Sequence, residues 1–151
     1  MSKEFKLYFD TPKSFEVKNI KSFIGLTGLY FIFTSTIKIR YPFETTRLLY
    51  IGMSEMKTNS IGSRLIGHFE GKSKNQGLIN YRKVDQLNFT ALNFEMLRNF
   101  WDFKIEDLES YFILDFVKKF GVYPICNNKT GFEILNYELE ANFIIDWDYF
   151  K

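Results

Sequence analysis

The chain of 151 residues has one cysteine, three prolines, one histidine and no apolar run of membrane-spanning length. Each scarcity removes a class of protein. With Cys126 alone, neither an internal disulfide framework nor a cysteine-based zinc site can form. Few prolines and no Ser- or Pro-rich tract leave no linker, so residues 1–151 read as one domain with a core at about 25–130. The opening MSKEFKLYFD lacks the apolar centre of a signal peptide. The expectation is an intracellular, cytoplasmic protein in a reducing environment, away from membranes. A net charge of only +2 means that bulk charge does not announce a nucleic-acid binder.

Aromatic residues are abundant, with 18 Phe and 9 Tyr, and most of the phenylalanines must be core because no surface could display so many. Net charge is small but uneven in place. Between residues 57 and 84 lie Lys57, Arg64, Lys72, Lys74, Arg82 and Lys83 against a single acid, Glu70. From Phe132 onward come Glu133, Glu138, Glu140, Asp146 and Asp148, with Lys151 the only cation. A basic middle and an acidic tail suit one face that attracts phosphate and another that stays away from it. Two ordinary solvated faces would give the same pattern.

Alternating Phe5, Leu7 and Phe9 suggest a short first strand, while residues 14–23 fit a helix or a strand equally well. The runs Leu29–Phe33 and Leu48–Ile51 read as strands joined through a connection marked by Pro42. Asn59 or Ser60 can cap a helix reaching about Phe69, with Ile61, Leu65 and Phe69 on one stripe. Residues 86–94 suggest a third strand. A long helix is expected over residues 105–120, where Leu108, Phe112, Phe116 and Phe120 recur every four residues. Glu106 and Asp107 suit its first turn, and Gly121 and Pro124 its end. The tail over 132–151 is apolar enough to pack as either helix or strand. The order predicts an α+β fold, a small antiparallel sheet with helices against it.

Several polar residues are not demanded by such a core. Arg64 and the lone His68 share one helix face, a turn apart, and can hold a phosphate and handle a proton. Glu109 lies beside the apolar stripe of the long helix, where a carboxylate can bind Mg²⁺. Tyr30 and Tyr50 fall on neighbouring strands. Each alone has an ordinary explanation as surface arginine, half-buried histidine, solvated glutamate or core tyrosine.

Together, in this order, they resemble the GIY-YIG nuclease family. Gly28-Leu29-Tyr30 and Tyr50-Ile51-Gly52 look like its paired tripeptides, followed by Arg64 and His68 on a helix and by Glu109 in Asp107-Leu108-Glu109-Ser110-Tyr111. Pro124-Ile125-Cys126-Asn127 closes the pattern, which spans about residues 28–129. The resemblance implies a three-stranded antiparallel sheet flanked by helices, with additions at both ends. It also implies a metal-dependent endonuclease that hydrolyses phosphodiester bonds in DNA with one Mg²⁺ or Mn²⁺ on Glu109. By that resemblance Arg64 neutralises the transition state and Tyr50 is the general base. Tyr30 orients water or the network, His68 accepts or relays a proton, and Asn127 holds the glutamate or the helix end. Lys57, Lys72, Lys74, Arg82 and Lys83 are the candidate contacts to DNA. Two features depart from the pattern. The segments separating Tyr30, Tyr50 and Arg64 are long, and Met53 stands where the family often has a lysine, which Lys57 would have to replace. The alternative reading is a catalytically silent nucleic-acid-binding module on the same fold. A restriction-like role would call for a homodimer, since both strands must be cut.

Overall fold

A computed structural model describes residues 5–101, 104–127 and 143–151. The architecture is α+β. In chain order the elements are strand β1 (Phe5–Leu7), strand β2 (Lys13–Ser14), helix α1 (Val17–Ile20) running into a 3₁₀ turn (Lys21–Phe23), and strand β3 (Gly28–Thr34). A small hairpin β4 (Ile39–Arg40) and β5 (Thr45–Thr46) precedes strand β6 (Leu48–Ser54). Helices α2 (Ile61–Phe69) and α3 (Gln76–Val84) lead to strand β7 (Leu87–Asn93), helix α4 (Phe94–Leu97) and the long helix α5 (Ile105–Phe120). Strand β8 (Phe143–Ile145) and a 3₁₀ turn (Trp147–Phe150) follow.

The main sheet has the order β2-β7-β3-β6 and is antiparallel throughout. It therefore has four strands where the resemblance implies three. The fourth is the two-residue β2, whose Lys13 and Ser14 pair with Phe89 and Asn88 at the edge. So short a strand leaves no period-two signature in the sequence. All seven residues of β3 are buried, which is why its sequence reads as an unbroken apolar run rather than an alternation. One sheet face packs Phe31 on Phe112 of α5 and on Phe150, each with ring centroids 5.8 Å apart. The opposite face sets Phe89 against Phe23 at 5.3 Å and Tyr30 against His68 of α2 at 5.9 Å.

Helix α2 starts where Ser60 accepts a hydrogen bond from the Ser63 amide, so of the two candidate caps it is serine that caps. Helix α5 spans the predicted residues, with Glu106 and Asp107 in its first turn and Gly121 in the left-handed region at φ 97° as its terminator. Helix α3 is not foreseen by periodicity, because only Leu78 of its nine residues is buried. Asn75 starts it by accepting from the Leu78 amide at 3.1 Å. Of the acidic tail, Phe143–Ile145 forms a strand parallel to β1 and residues 147–150 a 3₁₀ turn. Glu133, Glu138 and Glu140 lie outside the described residues. Among the described residues, no helix is long and apolar enough to cross a membrane.

Candidate active site

The two glycine-tyrosine tripeptides meet across the sheet, and their glycines have separate steric reasons. Tyr30 pairs with Gly52 and Ile32 with Tyr50, so the two tyrosines lie diagonally on one face. A Cβ on Gly52 would sit 2.2 Å from Cζ of Tyr30 and 2.4 Å from its hydroxyl. The tyrosine ring lies directly over the space that only glycine leaves. Gly28, at φ 142°, has Leu92 O 2.0 Å from where a Cβ would be, so the central strand and β7 approach only because no side chain intervenes.

Tyr30 is 1% exposed, and its hydroxyl is hydrogen bonded to Nε2 of His68 at 3.1 Å. The Tyr50 ring lies beside it, its centroid 5.9 Å from that of Tyr30 and 5.0 Å from that of His68. On its other side, Nδ1 of His68 lies 2.7 Å from Oγ of Ser73. Tyr30, His68 and Ser73 thus form one hydrogen-bonded chain from the buried phenol out to the turn before α3, with half-buried Tyr50 packed against both rings. Ser73 also accepts from the Asn75 amide at 3.4 Å. Nothing in the sequence marks Ser73, because it joins the site only when the turn after α2 folds back on His68.

Burial sets the proton affinities. Burial first, and then the Arg64 guanidinium one turn away, hold the His68 imidazole down at about 4. Burial likewise raises Tyr50, with the neighbouring Tyr30 hydroxyl acting downward, Glu109 upward and Arg64 downward. Tyr30 is raised well above a free phenol by burial and by Tyr50. At neutral pH all three groups are therefore uncharged. Glu109 reaches both phenols electrostatically from α5, so α5 and α2 act on the same pair of tyrosines.

Tyr30, Tyr50, Arg64, His68, Lys72 and Ser73 line one open cleft of about 400 Å³, which Asn59 and Asn75 also border. Arg64 is exposed at this cleft, while Leu65 and Ile61 on the next face of α2 are fully buried. A polar hollow with an arginine, a lysine and a buried tyrosine-histidine chain suits an anion that must give up or take a proton.

The remaining candidates divide. Asn127 is hydrogen bonded to the backbone of Ile51. Its side chain accepts from the Ile51 amide at 3.1 Å and donates to the Ile51 carbonyl at 3.0 Å, closing the free edge of β6 next to Tyr50. Lys57 is exposed on the loop before α2, but Asn59 is the residue of that loop that lines the cleft. Met53 pairs with Leu29 and packs half-buried on the core. Lys74 is exposed at φ 59° in the turn before Asn75. Arg82 and Lys83 border a second hollow that shares His68 with the first. The Arg82 guanidinium is seated 3.8 Å over the Phe69 ring and donates to the Phe69 carbonyl.

No group of three or more His, Cys, Asp and Glu side chains placed to hold a metal occurs among the described residues. Glu109, half-buried on α5, is not among the residues that line this cleft and acts on Tyr30 and Tyr50 electrostatically. One hard oxygen donor fits an ion such as Mg²⁺, which completes its shell with water and phosphate oxygens. No family model matches this chain, and neither the curated proteins nor the solved structures compared with it match.

Proposed function

We propose that this protein is a metal-dependent endonuclease that hydrolyses phosphodiester bonds in DNA. The observation that carries the reading is the hydrogen-bonded pair Tyr30–His68, with Tyr50 packed against both rings, beside Arg64 in one cleft, built by the two tripeptides that resemble the GIY-YIG nucleases.

Arg64 binds the non-bridging oxygens of the scissile phosphate and stabilises the charge that grows on them during attack. Glu109 is the residue that would hold Mg²⁺ or Mn²⁺, and the ion supplies Lewis-acid stabilisation of the leaving oxygen. Tyr50, half-buried in the cleft beside Tyr30 and His68, faces the attacking water. At rest burial raises the Tyr50 phenol and holds His68 at about 4, so a standing phenolate is not populated. Proton transfer therefore accompanies attack. The water proton passes to Tyr50 oxygen, the Tyr50 proton to Tyr30, and the Tyr30 proton to Nε2 of His68. This requires the Nδ1–H form of neutral His68, which donates to Ser73 and leaves Nε2 free to accept. A bound phosphate also assists. Its negative charge offsets Arg64, one of the two causes that depress His68, and raises the imidazole's basicity when substrate is present.

Replacing Tyr50 by Phe removes the first oxygen of this proton path and keeps the ring. Turnover should fall by about 10²-fold or more, the scale of a lost general base, with DNA affinity unchanged. Wild-type turnover by Tyr50→Phe would remove Tyr50 from the chemistry.

A further inference from the structure

Two hollows of opposite character share the wall made by His68. The first is polar and holds Arg64, Lys72 and the tyrosines. The second, of about 510 Å³, has walls from Phe15, Phe69, Leu78 and Ile79, with Arg82 and Lys83 on its rim. Its acid, Glu70, is 3.3 Å from the Lys72 ammonium and so is already paired. Arg82 is not a loose surface cation. Stacked on Phe69 and tied to its carbonyl, the guanidinium is held in place against an aromatic wall. Aromatic rings and arginine planes are the surfaces on which exposed bases stack.

A polynucleotide offers alternating chemistry to match this pair of hollows. Each phosphate is one sugar away from a planar, largely apolar base. Resting on the nuclease reading above, we propose that the second hollow receives one unpaired nucleobase of the DNA strand whose phosphate lies at Arg64. Phe69 and Ile79 provide apolar contact, Arg82 a stacking plane, and Lys83 a partner for the next phosphate. A base inside a stacked duplex must be pulled out to enter, whereas a base in a single strand or a bulge enters with little to break. The substrate class is thus a strand with at least one unstacked base beside the cut. This assigns Arg82 and Lys83 a role in choosing the substrate, apart from the chemistry at Tyr50.

The test uses the wild-type protein, so no variant need fold. A 5′-labelled single-stranded DNA is cut with Mg²⁺, the position is mapped, and one abasic nucleotide is walked across it. Loss of one stacked base should lower kcat/KM by roughly 5- to 150-fold at a single position adjacent to the cut, with small effects elsewhere. The matched duplex should be cut more slowly than the same duplex with a one-nucleotide bulge there. Cleavage that is uniform along the abasic walk overturns the base-binding hollow while leaving the nuclease reading intact. If no DNA is cut, fluorescence anisotropy with the intact and abasic strands decides. A position-specific loss of affinity supports the hollow without the chemistry, and equal or absent binding overturns it.

Discussion

Adding one methyl group at Gly52 tests the architecture of the site without touching any proposed catalytic atom. In Gly52→Ala the new Cβ would lie 2.2 Å from Cζ of Tyr30, against an ordinary contact of about 3.4 Å, so ring or strand must give by about 1.2 Å. The ring has little room to retreat, because Tyr30 is buried against Tyr50 and His68. Overpacking of this kind costs about 1–3 kcal/mol. Breaking the Tyr30–His68 hydrogen bond adds about 1 kcal/mol. At about 2–4 °C per kcal/mol for a chain of this size, Tm should fall by roughly 4–16 °C. Calorimetry measures that fall, and ¹⁵N NMR of the single histidine shows whether Nε2 has lost its partner. A displacement above 1 Å should also reduce turnover by about 10²-fold. An unchanged Tm together with an unchanged His68 spectrum would refute the claim that the Tyr30 ring occupies the space of a Gly52 side chain.

Gly67 provides the contrast, since a Cβ there meets nothing within 4 Å and the residue lies inside helix α2. Gly67→Ala should therefore stabilise by about 0.5–1 kcal/mol through helix propensity, read as a higher denaturation midpoint. The histidine predicts a pH dependence. Its folded value near 4 lies below the ordinary 6.5, so the unfolded chain binds more protons and stability is lost as pH falls from about 6.5 through 4. The loss is on the order of 3 kcal/mol. In urea titrations at pH 7 and pH 4, His68→Gln should lack that share of the decline. Equal declines would show that His68 titrates normally.

The parts of the molecule that were legible in the sequence are those where one physical requirement dominates. A central strand buried on both faces must be apolar throughout, which exposes Leu29–Phe33 and, through its partner, Leu48–Ile51. Helices α2 and α5 each bury one stripe and so repeat every four residues. Helix α3 buries only Leu78 and is held by the Asn75 cap, whose side-chain amide also donates to the Cys126 carbonyl at 2.9 Å. That contact spans 51 residues and has no local signature. The site divides in the same way. The resemblance points to Tyr30, Tyr50, Arg64 and His68, which all line the same cleft. It says nothing of Ser73, which meets His68 through the fold of a turn. Nor does it reveal that Asn127 serves the backbone of Ile51 or that Arg82 is seated on Phe69, because both depend on which chains pass nearby.

The central claim is that Glu109 and the tyrosine-histidine cleft make one metal-dependent hydrolytic site. The most direct measurement incubates the wild-type protein and Glu109→Ala with 5′-labelled single- and double-stranded DNA, with Mg²⁺, with Mn²⁺ or with EDTA, at matched thermal stability. Cleavage by the wild type in either metal, abolished by EDTA and by Glu109→Ala, is the predicted result. Cleavage by Glu109→Ala at the wild-type rate, or no cleavage by the wild type in either metal, would contradict it.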